Sequence, residues 1–227
     1  MQPVKDADPA DVQGAVWGTP MAVLLQQRHV LPLHIAAASV SAQAVGFVGP
    51  VAAGKSSLVA ALVDRGHRLV TDDLAAVTYD AKGRPALQPG PPVLAIWGSS
   101  ARQLGWPTDE AHRLKAGVDK FRYDMAGRLV EGPRRLAAVY VLTEQPVAET
   151  VIRPVTGFEK FEVFHSGATY NAEFLDTPDL RTWHFHEVCR LAQQVPTFVV
   201  ARPAGDLDLR DLANRVEHHL AEPRPVE

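Results

Sequence analysis

The 227-residue chain has one cysteine, Cys189, so no internal disulfide can staple it and its stability must come from a hydrophobic core. A lone thiol also fits a reducing, cytoplasmic compartment. Long apolar runs are missing too. The longest, such as Leu136–Leu142, fall far short of the ~20 residues that a bilayer-crossing helix needs. Met1–Ala10 is polar, acidic and proline-containing, without the basic-then-apolar order of a secretory signal. Charge of one sign is not in excess: 23 Lys and Arg stand against 26 Asp and Glu, a formal net charge of −3. That balance gives no global attraction to nucleic acid or to an anionic membrane, and neither is expected as a partner.

What remains is ordinary globular usage, 46% hydrophobic and 22% charged, enough to bury one sizeable α/β core. Residues 1–14 and 221–227, rich in Pro and charge, are expected to be flexible ends around a single domain, 15–220. Helices are expected over Gly18–Gln27, Lys55–Arg65 with Gly66 as the stop, much of Thr177–Gln194, and Asp208–Leu220. Strands are expected over His29–Val40, Ala44–Val48, Arg68–Thr71, Ala75–Tyr79, Ala137–Leu142 and Thr197–Ala201. Gln88–Pro92 is too proline-rich for a helix or central strand and reads as a rigid connection.

The most informative stretch is Gly49-Pro-Val-Ala-Ala-Gly54-Lys55-Ser56, which fits the pattern G-x-x-x-x-G-K-[ST] between an apolar strand and a helix. Loop amides at Gly49, Val51, Ala52, Ala53, Gly54, Lys55, Ser56 and Ser57 would cradle phosphates, helped by the positive end of the helix. Lys55 would reach the β and γ phosphates of ATP or another NTP, and the Ser56 hydroxyl would hold Mg²⁺. Pro50 has no N–H to donate. Neither an Asn-Lys-x-Asp guanine-selecting stretch nor a Leu-Ser-Gly-Gly transporter signature is present, which disfavours small GTPases and transporter ATPases.

Asp72 and Asp73 follow directly on a strand. Adjacent residues there point apart, so they should have separate jobs: one takes a proton from an incoming hydroxyl, the other orders the metal or its waters. His34 could hydrogen-bond one of them. Lys120 and Arg122 are candidates for a cation on the transferring phosphoryl group. His165, expected at the end of an aromatic-rich strand, could line an acceptor groove. His218 and His219 are read as helix surface, not zinc ligands.

These elements together resemble bacterial HPr kinase/phosphorylase and its shorter relatives, some of which serve lasso peptide biosynthesis. In that family a histidine lies 15 residues before the first loop glycine and an Asp-Asp pair begins 23 after it; His34, Gly49 and Asp72 reproduce both spacings. The run from Arg65 to Asp73, Arg-Gly-His-Arg-Leu-Val-Thr-Asp-Asp, is close to the family's wording. The resemblance implies a P-loop α/β fold with a mixed central sheet flanked by helices, related to phosphoenolpyruvate carboxykinase. It implies Asp72 as general base supported by His34, Lys55 on the nucleotide, and Ser56 with Asp73 near Mg²⁺. It also implies transfer to a serine-type hydroxyl of a peptide or protein, and the larger relatives assemble into homo-oligomeric rings. A kinase of free serine and a non-catalytic nucleotide sensor stay open as alternatives.

Overall fold

Residues 14–170, 172–205 and 207–222 are described by the structure, a computed structural model. Apart from Gly14, Ala221 and Glu222, the two ends expected to be flexible lie outside the described residues.

After the helical residues 14–17 comes helix α1 (Thr19–Gln27), with Pro20 in its first turn, where a missing N–H costs nothing. The stretch expected as one strand is two, β1 (Leu31–His34) and β2 (Ala36–Val40), parted at Ile35. Nearly every residue from Leu31 to Val40 is buried, so no alternation of polar and apolar side chains marks the break. Ser41 and Ala42, both with positive φ, then turn the chain tightly into β3 (Gln43–Val48). Helix α2 (Lys55–Asp64) follows, buried continuously from Ser57 to Val63 and ended by Gly66 at φ +98°.

Next come β4 (Arg68–Thr71), β5 (Leu74–Tyr79), β6 (Pro85–Leu87), β7 (Val93–Trp97), helix α3 (Gly98–Leu104), β8 (Lys120–Asp124) and β9 (Arg134–Glu144). The last part holds β10 (Val151–Pro154), helix α4 (Gly157–Glu162) with a π-helical turn (Val163–Gly167), helix α5 (Pro178–Gln194), β11 (Thr197–Arg202) and helix α6 (Leu209–Ala221). The aromatic-rich strand expected to end at His165 is therefore helical. Phe158, Phe161 and His165 recur at helical spacing and stack, with ring centroids 5.9 and 5.0 Å apart, so period 3.6 and not period 2 governs the segment.

Among the described residues, nine strands form one mixed sheet in the order β1-β5-β6-β9-β3-β2-β4, with β11 beside β9 and β10 beside β11. Helices flank it. β3, β9 and β11 run parallel, so their carboxyl ends share one edge, where open α/β sheets place ligands. One core lies on the face covered by α2 and α6, around Val45, Phe47 and Tyr140; the other lies under α5, around Val48, Val139 and Phe164. Neighbouring residues of β3 and β9 divide between the two, the pleat's period of two. β7 and β8 form a separate two-stranded ribbon, from Val93↔Asp124 to Trp97↔Lys120. No described helix is long and apolar enough to cross a membrane.

The loop after β3 turns on Gly49, at φ +146°; a Cβ there would lie 2.5 Å from the Leu142 carbonyl oxygen of the neighbouring strand. Gly66 also has positive φ, but nothing stands within 4 Å of its missing Cβ. Gly66→Ala should therefore cost only the left-handed penalty of about 1–2 kcal/mol, while Gly49→Ala adds a backbone clash and should cost more than ~2 kcal/mol, on the order of 4–8 °C or more in Tm. Equal Tm losses in the two variants would contradict the close approach at Gly49.

Candidate functional site

The loop 49–54, expected to cradle phosphates, leaves β3 and enters α2 through Gly54, at φ +99°. Ala52 is also left-handed, at φ +66°, a conformation that costs a non-glycine residue roughly 1 kcal/mol and is typical of loops shaped for a ligand. The Lys55 ammonium donates to the carbonyls of Gly49 (2.8 Å) and Pro50 (3.2 Å), which holds it over the loop. Burial lowers its pKa, Asp73 and Asp72 oppose that, and Lys120 adds to it.

Two crossings bring the remaining groups to this edge. β1 pairs with β5, and β2 pairs with β4. The chain thus passes between the two wings of the sheet twice, side by side: once at His34–Ile35, once at Asp72–Asp73. The Ile35 N–H donates to the Asp73 carbonyl (3.2 Å) and ties the crossings together. Asp73 takes a left-handed φ of +73° there, so the two carboxylates diverge, as expected for adjacent residues at a strand end.

Their surroundings differ. Asp72 is half-buried by surface area, with its carboxylate set inward: the Ser56 hydroxyl donates to Oδ1 (2.7 Å) and the Ala95 N–H to Oδ2 (3.3 Å). Burial pushes its pKa up, those two hydrogen bonds pull it down, and the nearby Asp73 raises it further. Asp73 is exposed; the Tyr170 hydroxyl donates to its Oδ2 (3.1 Å), and His34 Nε2 lies 3.5 Å from its Oδ1. The His34 ring stacks on Tyr170, centroids 5.4 Å apart. Burial and, less strongly, Lys55 lower the His34 pKa while Asp73 raises it, a net shift that favours neutral imidazole. The histidine expected beside Asp72 is thus Asp73's neighbour, because β1 delivers it to the outer side of the crossing.

Two cavities open here. The first, of about 170 Å³, is lined by the loop residues Val51–Ser57, His34, Ile96 and Trp97. The second, of about 370 Å³, is lined by Trp17, Leu74, Pro91, Val93, Leu114 and Arg122, among others. Ser56, Asp72, Asp73, Ala95 and Lys120 line both.

Most candidate residues therefore converge; Gly49 and His165 line neither cavity, and the Ser57 side chain is engaged elsewhere. Gly49 shapes the turn behind the loop. The Ser57 hydroxyl pairs with Ser100 (2.7 Å) and ties α2 to α3. His165 is absent from both linings and borders another cavity, with His184 and Phe185. His219 packs edge-on against Phe198 (4.4 Å) and hydrogen-bonds Tyr140, so it is less a surface residue than its helix position implied. Tyr170, Trp17 and the β7–β8 wall were not anticipated.

The oxygen donors at the junction suit a hard cation. No cluster of three His, Cys, Asp or Glu exists among the described residues, but Mg²⁺ characteristically takes one or two carboxylates plus substrate phosphates and water. A hydroxyl hydrogen-bonded to a carboxylate, as Ser56 is to Asp72, fits that pattern.

No family model and no curated protein matches the chain. Among solved structures it is similar to the Hpr(Ser) kinase/phosphatase from Coxiella burnetii, at 13% identity and a TM-score of 0.44, over 83% of this chain and 93% of that one.

The Asp72 environment yields a stability prediction. Its pKa is raised in the fold, so the folded chain holds the proton more tightly than the unfolded chain does. The ionised carboxylate therefore costs stability at pH values above its titration, and that cost disappears as the pH falls below it. Asn can accept from the Ala95 N–H through its oxygen and donate its amide NH2 to the Ser56 hydroxyl, so Asp72→Asn should raise Tm at neutral pH, with the gain vanishing toward pH 3. A lower Tm at neutral pH would contradict burial as the dominant influence.

Proposed function

We propose that this chain is a Mg²⁺-dependent kinase that moves the γ-phosphoryl group of ATP, or another NTP, to a serine-type hydroxyl of a peptide or protein. The observation that carries this reading is the meeting of the two cavities at Ser56, Asp72, Asp73 and Lys120. The smaller has the amides and lysine suited to phosphates; the larger sets Ser56, Asp72, Asp73, Lys120 and Arg122 among apolar walls, as suits a second substrate.

Phosphoryl transfer needs positioning and charge neutralisation more than covalent chemistry from the protein. Lys55 and Lys120 both act on Asp72 or on each other through space, which supports their aiming at one small volume where charge builds up. Bound Mg²⁺, held through Ser56 and Asp72, would neutralise charge on the phosphates. Asp73 is exposed between the cavities, and Tyr170 and His34 fix its carboxylate; it takes the proton of the acceptor hydroxyl. As that proton moves, the hydroxyl oxygen bonds to the γ-phosphorus, and the bond from phosphorus to the β–γ bridging oxygen breaks to release the nucleoside diphosphate. This exchanges the roles that the resemblance gives to Asp72 and Asp73. The supporting geometry is that the Asp72 carboxylate is set inward on Ser56 and Ala95, whereas Asp73 is exposed with His34 and Tyr170 beside it.

A free hydroxy amino acid is a second reading, favoured by the acceptor cavity's 370 Å³, near the small end of the ~300–1,000 Å³ usual for ligand pockets.

Incubation with ATP, Mg²⁺ and a panel of serine peptides, proteins and free serine, read by product mass, tests the activity. Nucleotide binding without any product would leave a sensor, not a kinase. Asp73→Asn should lower kcat by roughly 10²–10⁴-fold with Mg²⁺–nucleotide affinity nearly unchanged. Asp72→Asn should weaken Mg²⁺–nucleotide binding itself. The opposite pattern would return the base role to Asp72.

A further inference from the structure

Among the described residues, Arg122 has no carboxylate paired with its charge, while Arg65, Arg113, Arg202 and Arg215 all sit on one. It is half-buried on β8. It lines the larger cavity and not the loop cavity. Lys120, two residues away, lines both. Lys120 is also among the charges acting on Asp72 and Lys55, and Arg122 is not. The ribbon register explains the difference: Lys120 pairs with Trp97, beside the phosphate loop, and Arg122 with Ala95, one step further out. Residues two apart on a strand share a face and stand roughly 6.6–6.8 Å apart.

The other walls near Arg122 are apolar: Trp17, Leu74, Pro91, Val93 and Leu114. A guanidinium set in such a wall is a planar fork of donors suited to a carboxylate. Single polar groups of this kind commonly fix a ligand's orientation. The acidic residues of the lining, Asp72 and Asp73, are engaged with Ser56, Ala95, Tyr170 and His34.

We propose that Arg122 selects acceptors carrying a carboxylate close to the hydroxyl, within about 7 Å by the strand spacing between Lys120 and Arg122. This rests on the kinase reading of the site and narrows its substrate class. The hydroxyl sits at Asp73 and Lys120, the apolar part of the acceptor lies along Trp17 and Leu114, and the carboxylate meets Arg122. An acidic side chain next to the serine and a chain-terminal carboxylate both supply this chemistry.

The test uses the full chain with Mg²⁺ and short synthetic serine peptides in which the residue after serine is Asp, Asn or Lys. A second set ends in serine, with a free or an amidated carboxyl terminus. Transfer is followed with ATP, and binding by calorimetry with a non-transferable ATP analogue. Wild-type protein should prefer the anionic member of at least one set by roughly 10–100-fold in KM, and which set shows the preference identifies the source of the carboxylate. Arg122→Gln should erase that preference, with kcat at saturation much less affected, and Arg122→Glu should turn it toward the Lys peptide. Equal KM for anionic and neutral peptides, or an Arg122→Gln variant that loses ATP affinity with acceptor preference intact, would overturn the proposal and leave the kinase reading standing. Selective binding of anionic peptides without transfer would uphold recognition by Arg122 and sink the kinase reading. No selective binding and no transfer would sink both.

Discussion

The hydrogen bond from the Ile35 N–H to the Asp73 carbonyl fastens two chain crossings on which the rest of the site depends. β1 and β5 belong to one wing of the sheet, β2 and β4 to the other. The two connections between wings can lie side by side only if each makes its passage within a residue or two. That places His34 against Asp73 and leaves Asp72 facing the opposite way, toward Ser56. Asp73 adopts an unfavourable backbone conformation there, as groups at functional sites often do.

Around this junction the sheet supplies one wall and the β7–β8 ribbon the other. The parallel strands β3, β9 and β11 put their carboxyl ends, and with them the loop 49–54, at a single edge. Leu94, Ile96, Phe121 and Tyr123 anchor the ribbon to the core. Its alternate residues Val93, Ala95, Lys120 and Arg122 are thereby left to line the cavities. Period-two geometry thus sets a row of cations opposite a buried apolar face, Lys120 where the two cavities meet and Arg122 in the larger alone. The opposed charges are held at short range with their ionised forms perturbed by burial, as at sites that handle charged substrates.

Much of this was legible in the sequence because it is local. The loop's glycines, lysine and serine are contiguous between a strand and a helix, and the acid pair sits at a strand end marked by Arg68–Thr71. The contacts that assign partners are not local. Tyr170 reaches Asp73 across 97 positions, and nothing near either residue announces it. The break at Ile35 is silent because both halves of the stretch are buried, so periodicity carries no signal. β8 was hidden inside a segment whose basic composition masked the alternation of Phe121 and Tyr123 with Lys120 and Arg122. The segment ending at His165 misled for the converse reason: a density of aromatic residues suited a strand until their spacing of three and four was satisfied by a helix.

Under the proposed function, a nucleotide's terminal phosphate would lie where the two cavities meet. A crystal structure of the full chain with Mg²⁺ and a non-transferable ATP analogue addresses it directly. The account predicts the γ-phosphate between Lys55 and Lys120, the metal on the Ser56–Asp72 side, and the Asp73 carboxylate facing the phosphorus from the acceptor cavity. A nucleotide bound elsewhere, or a γ-phosphate turned away from Asp73 with the β7–β8 ribbon between them, would contradict it.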